Sequence, residues 1–258
     1  MIRIGTSGWV YKHWKGIFYP EKLPQRLWFE HYSRYFDTVE INFTFYRLPE
    51  LRAFESWHDR APPGFTYAVK GSRLITHVRR LREPAEGVGR LLERLPALRE
   101  TAGPVLWQLP PDFARDDERL EAFLAVLPRQ WQHTLEFRHE SWLVDPVFER
   151  LRQAGVALTI PDRPGMPRAL ELTADWTYVR FHAGATPDGN YTDAQLDEWA
   201  RRIADWRDRG VTVWAYFNND WYGFALHNAW GLMARLGVPQ PLAHQRDVGE
   251  EGTSRFVA

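Results

Sequence analysis

Eight short apolar runs alternate with helix-like segments along the chain, and no other feature restricts the fold as strongly. The runs have strand length, whereas the segments between them carry apolar residues at helical spacing. Without a break in composition, this alternation is typical of a parallel α/β sheet in one domain. The predicted strands are 2–5, 38–42, 65–70, 105–109, one that ends within 135–142, 156–160, 177–182 and 213–218. The predicted helices are 23–36, 50–60, 84–100, one that starts at 116 or 117, 146–153, one that starts at 192, and 221–236.

The link between the sixth and seventh strands is an exception to this alternation. Residues 161–175 include Pro161, Pro164, Gly165 and Pro167. Prolines so close together remove amide donors and fix φ, which a regular helix does not tolerate. We therefore predict that no full-length helix connects these two strands.

Polar residues two positions apart end four of the predicted strands. Side chains alternate across a strand, so each pair points to one face. In a closed barrel such pairs meet at one mouth, whereas an open doubly wound sheet would scatter them along an edge. We predict a TIM-type (β/α)8 barrel at 1–238 and a polar tail at 239–258. The pairs are Glu40 and Asn42, Glu136 and Arg138, Arg180 and His182, and Tyr216 and Asn218.

Charge balance and cysteine content limit the classes of function. The 33 basic and 33 acidic residues cancel, so no bulk field attracts nucleic acid or an anionic membrane. The absence of cysteine excludes disulfides, thiolate metal sites and a cysteine nucleophile. The first residues do not have the pattern of a secretory leader, and no apolar run has the length of a membrane span. We expect a cytoplasmic protein without a membrane partner; the sequence leaves its oligomeric state open.

A set of motifs at the strand ends is similar to those of one known family. The motifs are Gly5-Thr6-Ser7-Gly8-Trp9, Phe18-Tyr19-Pro20, Thr38-Val39-Glu40-Ile41-Asn42-Phe43-Thr44-Phe45-Tyr46, Gln108-Leu109-Pro110-Pro111, Glu136-Phe137-Arg138, Ser141-Trp142, Tyr178-Val179-Arg180-Phe181-His182 and Tyr216-Phe217-Asn218-Asn219-Asp220. From residue 2 to about 237 the chain resembles the YecE-like proteins, a domain-of-unknown-function family numbered seventy-two. One departure is Ala183, where the family usually has glycine. The resemblance implies a TIM-type barrel and no activity, so the function has to be inferred from the site.

Two carboxylates are the first candidates for chemistry at the mouth. Glu40 and Glu136 lie three strands apart in the predicted ring, so their side chains would face each other. Glycoside hydrolysis uses two carboxyl groups roughly 5–9 Å apart, but its general acid needs a raised pKa, and Arg138 should lower the pKa of Glu136. The pair is therefore interpreted either as groups that exchange protons in another reaction or as parts of an internal salt bridge.

Three cations around the same opening predict an anionic ligand. Arg138 and Arg180 can match phosphate or carboxylate oxygens bidentately. Lys70 is interpreted as a Schiff-base nucleophile, a general base, an anion anchor, or a side chain that reaches solvent. His182, on the face of Arg180, is either structural or an acid, base or ligand. We expect Arg180→Ala to weaken anion binding and to leave the fold intact, because a residue at an open strand end would contribute little packing.

The remaining candidates are polar or aromatic residues near the predicted mouth. Tryptophans in loops after strands are interpreted either as a stacking wall for a ligand or as a lid over the barrel. A metal site built from the glutamates, His182, Asp162 or Asp220 is an alternative, but no ligand spacing supports it and nearby cations would repel a metal. No cofactor and no metal are predicted. The predicted substrate-binding residues besides the two arginines are Asn42, Tyr46, Gln108, Trp142, Tyr216, Asn218 and Asn219.

Two functional classes follow from these residues. The first is a hydrolase or lyase that binds a small anionic substrate through the cations, with Glu40, Lys70, Glu136 and His182 as catalytic groups. The second is a noncatalytic module that binds phosphate, a nucleotide or a nucleic-acid end. A groove lined by the loop arginines at 73, 79, 80 and 82 would favour the second class. A metal-dependent hydrolase is a further alternative.

Overall fold

The computed structural model describes residues 1–241, and eight parallel strands form a closed barrel in chain order. The predicted TIM-type architecture is thus confirmed. Nearly all of the tail predicted at 239–258 lies outside the described residues. The strands are β1 (Ile2–Ser7), β2 (Thr38–Ile41), β3 (Thr66–Lys70), β4 (Ala102–Gln108), β5 (His133–Glu136), β6 (Ala157–Asp162), β7 (Trp176–Phe181) and β8 (Thr212–Phe217).

Helices connect the strands on the outside of the barrel. They are α1 (Trp28–Tyr32), α2 (Phe43–Tyr46), α3 (Leu51–Arg60), α4 (Pro84–Leu92), α5 (Asp117–Ala125), α6 (Asp145–Ala154), α7 (Asp193–Asp208) and α8 (Phe224–Leu236). Shorter turns of 3-10 helix occur at Lys12–Trp14, Gln25–Leu27, Leu95–Thr101, Glu140–Trp142 and Trp221–Gly223, and one turn of π-helix occurs at Leu74–Val78.

Three predicted helices are shorter than the sequence indicated. The helix expected at 23–36 becomes the 3-10 turn Gln25–Leu27 followed by α1. The helix expected at 84–100 ends at Leu92 because Pro96 has no amide hydrogen to continue the bonding pattern. The helix expected at 221–236 begins as a 3-10 turn, and Gly223, with φ of 76°, separates this turn from α8.

The link between β6 and β7 contains no helix, as predicted. Pro161 and Asp162 extend β6, and the following residues return as loop. Thr173 fastens the end of this loop, since its hydroxyl donates to the Val156 carbonyl at 2.7 Å and accepts from the Leu158 amide at 2.8 Å. These two hydrogen bonds attach the end of the loop to the start of β6.

Apolar residues fill both sides of the barrel wall. The larger core lies between the strands and the helices, and a smaller cluster occupies the barrel interior below the mouth. This filled interior lies below the charged side chains Glu40, Glu136 and Arg180, which are nearer the carboxyl ends of their strands. Within the described residues, no helix has the length and apolar character needed to cross a membrane. The interior cluster comprises Ala68, Leu106, Ala157, Trp176, Tyr178, Trp214 and Tyr216.

Candidate functional site

A buried ion triad occupies the centre of the barrel mouth. Arg180, from β7, donates through Nε and Nη2 to the two carboxylate oxygens of Glu40 at 2.9 and 2.7 Å. Its Nη1 donates to Oε2 of Glu136 at 2.8 Å. The three side chains are at most 1% exposed. The internal salt bridge that the sequence left open is therefore present, and it joins β2, β5 and β7.

The triad keeps both carboxylates ionised. Burial by itself would raise the pKa of Glu40, but the charge and hydrogen bonds of Arg180 outweigh it and lower this pKa. Burial likewise opposes ionisation of Glu136, and Arg180, followed by Arg138, lowers its pKa well below the usual range. The pKa of Arg180 is raised, because the two carboxylates outweigh the effect of burial. Neither carboxylate is suited to donate a proton near neutral pH.

Neighbouring strands satisfy the remaining lone pairs of the two carboxylates. Tyr178, two residues before Arg180, donates its hydroxyl to Glu40 at 2.8 Å, and Ser7 from β1 also donates to Glu40. Gln108 from β4 donates to Glu136 at 2.8 Å. The sequence prediction did not include Tyr178 or Ser7. Tyr178 precedes Arg180 by two residues and therefore lies on the same face of β7, so strand alternation could have identified it.

His182 lies on the same face as Arg180, as the strand alternation predicts. The side-chain amide of Asn218 lies 3.1 Å from Nδ1 of His182, and Nε2 lies 3.4 Å from Oε1 of Glu136. Nη1 of Arg180 also lies 3.4 Å from Nε2, so both ring nitrogens are within reach of polar groups. Burial lowers the pKa of His182, and the nearby Glu136 only partly offsets this effect. The imidazole is therefore neutral at neutral pH.

Lys70 ends β3 inside the mouth and is 8% exposed. In the described part of the chain its Nζ has neither a hydrogen-bond partner nor a paired carboxylate; it lies 4.2 Å from the centre of the Phe45 ring. Burial lowers the pKa of Lys70 to about 7, and the charge of Arg180 adds to this shift, while Glu40 and Glu136 oppose it. A substantial fraction of this amine is thus neutral at physiological pH.

Arg138 contacts the buried triad through one of its three side-chain nitrogens. Its Nε donates to Oε1 of Glu136 at 2.8 Å, while its terminal nitrogens make no hydrogen bond within the described residues. The side chain is 23% exposed, so these nitrogens are open to the mouth. Nearby His77 has a pKa lowered to about 4 by burial first and then by the charges of Lys70, Arg138 and Arg73. Positive potential is therefore concentrated on this side of the mouth.

Other predicted binding residues differ in their access to the mouth. Asn42 donates to the Ser7 hydroxyl at 2.7 Å, and its carboxamide oxygen is buried without a partner among the described residues. Tyr46, at the end of α2, is 70% exposed and lies at the rim. Tyr216 lies deeper, in the interior cluster, where its hydroxyl is 2.6 Å from that of Thr38.

Two residues predicted to bind substrate are not part of the mouth. Trp142 is fully buried in the 3-10 turn after β5, where its ring stacks on Phe137 and its Nε1 donates to the Phe113 carbonyl at 2.7 Å. Asn219 donates to Asn228 at 2.8 Å and joins loops outside the barrel axis. Both side chains face away because the strands end before them and the following turns change direction. They anchor loops.

The loop tryptophans form neither a continuous wall nor a complete lid. Trp14 is fully buried and donates to the Asp220 carbonyl at 3.1 Å. Trp9 packs edge-on against Phe29. Trp221 remains exposed at the rim. A ligand at the mouth would therefore meet one of these rings and not several.

Two of the candidate metal ligands lie away from Glu40, Glu136 and His182. Asp162 points outward, where Arg168 and the indole of Trp199 bind its carboxylate. Asp220 pairs with His13 at 3.3 Å. Among residues 1–241, no group of three or more His, Asp or Glu side chains is arranged to hold a metal ion.

Comparisons with known proteins identify one family. A family model described as "Protein of unknown function DUF72" matches residues 3–250. UPF0759 protein YunF of Bacillus subtilis is 26% identical over 92% of this chain and 95% of its own length. UPF0759 protein YecE of Escherichia coli K12 is 26% identical over 80% of this chain and 82% of its own length.

Solved structures of the same family share the fold. A DUF72 family protein of Thermotoga maritima, TM1631, has a TM-score of 0.82 at 29% identity and covers 92% of this chain and 99% of its own. A second, EF0366 of Enterococcus faecalis, has a TM-score of 0.78 at 17% identity, covers 93% of this chain and 96% of its own, and supports the fold alone. Since the family model spans nearly the whole sequence, this protein belongs to the DUF72 family, as its motifs predicted.

Proposed function

We propose that this protein is an enzyme that acts on a small substrate bearing phosphate or carboxylate, by proton transfer at the barrel mouth. The observation that carries the proposal is the guanidinium of Arg138. Its Nε donates to Glu136, and its terminal nitrogens are open to the mouth. A planar fork held at one end is suited to two parallel hydrogen bonds with an anion.

The structure changes which cation is expected to bind the anion. The sequence assigned Arg180 to the substrate, but its three nitrogens are already bound to carboxylates and it is 1% exposed. Within the described residues, the terminal nitrogens of Arg138 and the amine of Lys70 make no hydrogen bond. We therefore assign anion binding to Arg138, with the positive potential of Lys70 as support.

Proton transfer is assigned to groups that titrate near neutral pH. Glu40 and Glu136 stay ionised, so they supply fixed negative charge and not protons. Lys70 has a pKa of about 7, which matches the operating range of a general base. His182, which is neutral because burial lowers its pKa, lies beside Glu136 and can relay a proton through its two ring nitrogens.

Calorimetric titration of inorganic phosphate tests the anion assignment. Arg138→Ala should weaken binding by tenfold or more, since each charge-assisted hydrogen bond contributes about 1.5–3 kcal/mol. Arg202→Ala is the matched control, because Arg202 is also 23% exposed and bound to one glutamate, but lies on the outer helix α7. Equal phosphate affinity of wild type and Arg138→Ala would remove the basis of the proposal.

A noncatalytic binding module is the second candidate, and exposed rings at the rim favour it. Four rings that follow β2 or β8, in α2 or in the 3-10 turn before α8, are more than half exposed: Phe43, Tyr46, Trp221 and Tyr222. Such rings can stack on a base. The loop arginines favour it less, because Arg80 is paired with Asp112. Nucleotide binding that depends on Trp221 and is much tighter than phosphate binding would support the module over the enzyme.

A further inference from the structure

We propose that Lys70 is a covalent nucleophile: its amine forms an imine with an aldehyde or ketone carbon of the substrate. The substrate class of the mouth would then be a carbonyl compound that bears phosphate or carboxylate. This inference rests on the proposed function, in which Arg138 binds the anionic group.

The geometry around Lys70 is that of an unpaired amine on a rigid support. The backbone of Lys70 pairs with Leu106 in β4, and its carbonyl accepts from the Thr44 hydroxyl at 2.6 Å. Next to it, a Cβ at Gly71 would lie 2.2 Å from the Trp107 ring, so the chain is tightly held at this point. Within the described residues the amine makes no hydrogen bond or ion pair, and it lies 4.2 Å from the centre of the Phe45 ring. The neutral amine can therefore react without breaking a hydrogen bond or an ion pair.

The three other lysines show by contrast that this arrangement is specific. Lys12, Lys15 and Lys22 are exposed, and Lys15 lies 3.7 Å from a carboxylate of Glu21. Their amines are open to water, whereas that of Lys70 is buried beside the Phe45 ring. Burial lowers the pKa of Lys70 to about 7, so a substantial fraction of its amine is neutral and nucleophilic at neutral pH.

The step balances without an oxidant or a reductant. The neutral Lys70 amine attacks the carbonyl carbon, so that a C–N bond forms and the carbonyl oxygen takes up a proton. The nitrogen then loses one proton, the hydroxyl leaves as water after a second protonation, and a protonated C=N bond remains, which becomes the neutral imine when the nitrogen loses its second proton. Amine and carbonyl compound thus give imine and water. His182 is the neutral group at the mouth that can carry protons between these oxygen and nitrogen atoms.

Fixed charge at the mouth favours the protonated imine. Glu40 and Glu136 together carry two negative charges, which Arg180 and Arg138 offset. The anionic group of a bound substrate then adds about one negative charge beside Lys70. A protonated imine on Lys70 would supply the matching positive charge without making a carboxylate give up its hydrogen bonds. The same charge would hold the electrophilic form that later proton abstraction needs.

Reductive trapping tests the imine, and the four lysines provide internal controls. Glyoxylate, an aldehyde with a carboxylate, and glycolaldehyde, a neutral aldehyde of similar size, would be added to the wild-type protein with cyanoborohydride between pH 6 and 8. Peptide mass spectrometry then gives the alkylation rate of each lysine. We expect Lys70 to be alkylated at least tenfold faster than Lys12, Lys15 and Lys22, and Lys70→Arg to lose this rapid phase.

The Arg138→Ala variant separates this inference from the proposed function. If both hold, the variant loses rapid trapping by glyoxylate but keeps that by glycolaldehyde. If Lys70 reacts no faster than the exposed lysines with either aldehyde, the imine is refuted, while phosphate binding that depends on Arg138 would still support a general-base enzyme. If Lys70 reacts rapidly with both aldehydes and Arg138→Ala changes neither rate nor phosphate binding, the anion assignment fails and the nucleophile stands.

Discussion

The unpaired ammonium of Lys70 should destabilise the fold at low pH, and Lys70→Met should relieve it. The pKa of this amine is about 7 in the folded protein, against an ordinary value of 10.5. Below pH 7 both the folded and the unfolded chain bind the proton, so the full cost of burying the charge is present. Between pH 7 and 10.5 the unfolded chain binds more protons, so the stability of the wild type rises with pH.

The size of this effect follows from the pKa difference. At about 1.4 kcal/mol for each pKa unit, the buried charge costs roughly 5 kcal/mol at pH 6 and about 2 kcal/mol at pH 9. Lys70→Met keeps a flexible apolar chain of similar length but has no charge. The advantage of the variant over the wild type should therefore shrink by about 3 kcal/mol between pH 6 and pH 9.

Urea unfolding at the two pH values measures this difference directly. Lys22→Met, at an exposed position, is the control and should show no such change relative to the wild type. Because only the change of a difference is compared, any constant gain from the methionine packing cancels. A constant advantage of Lys70→Met across this range would show that the amine has an ordinary pKa, and the reasoning on its reactivity would fail with it.

Three further substitutions test how the mouth is held in place. Arg180→Ala should lower the free energy of unfolding by about 3–5 kcal/mol, because it leaves buried carboxylates without their partner; a wild-type urea midpoint would contradict this. Gly71→Ala should cost about 1–3 kcal/mol in the same assay, since its Cβ would lie 2.2 Å from the Trp107 ring. Trp142→Phe should cost roughly 1–3 kcal/mol by leaving the Phe113 carbonyl unpaired, with phosphate affinity unchanged; weaker phosphate binding would return Trp142 to the site.

The set of residues that meets at the mouth was predictable because it depends only on the period of a strand. Glu40, Glu136, Arg180 and His182 end apolar strands on the inward face, and parallel strands of a closed barrel bring such ends together. The proline-rich link before β7 likewise acts locally. Patterns of this kind need no knowledge of distant contacts.

The roles within that set were not predictable, because they depend on which atoms pair. Sequence alternation places Arg180, Arg138 and Lys70 together. It does not show that all three nitrogens of Arg180 are bound to carboxylates, whereas the amine of Lys70 has no hydrogen-bond partner among the described residues. The expectation that Arg180→Ala leaves the fold intact is revised for this reason, since the side chain is buried between two carboxylates. The same limit applies to Trp142, whose direction is set by a 3-10 turn after the strand and not by alternation.

The arrangement of charged side chains at the mouth indicates that the buried ion triad has a role other than stability. Replacing a buried ion triad by packed apolar residues is often neutral or stabilising, so Glu40, Arg180 and Glu136 are a costly way to hold three strands together. What the triad provides is a fixed negative charge that cannot be titrated near neutral pH, set beside an amine that can. Within residues 1–241, only Nε of Arg138 makes a hydrogen bond, and Lys70 has no hydrogen-bond or ion-pair partner. These two cations are therefore available to bind a ligand. A ligand with an anionic end for Arg138 and an electrophilic carbon for Lys70 satisfies both at once, whereas an anion alone would satisfy the first and suppress the reactivity of the second by raising its pKa.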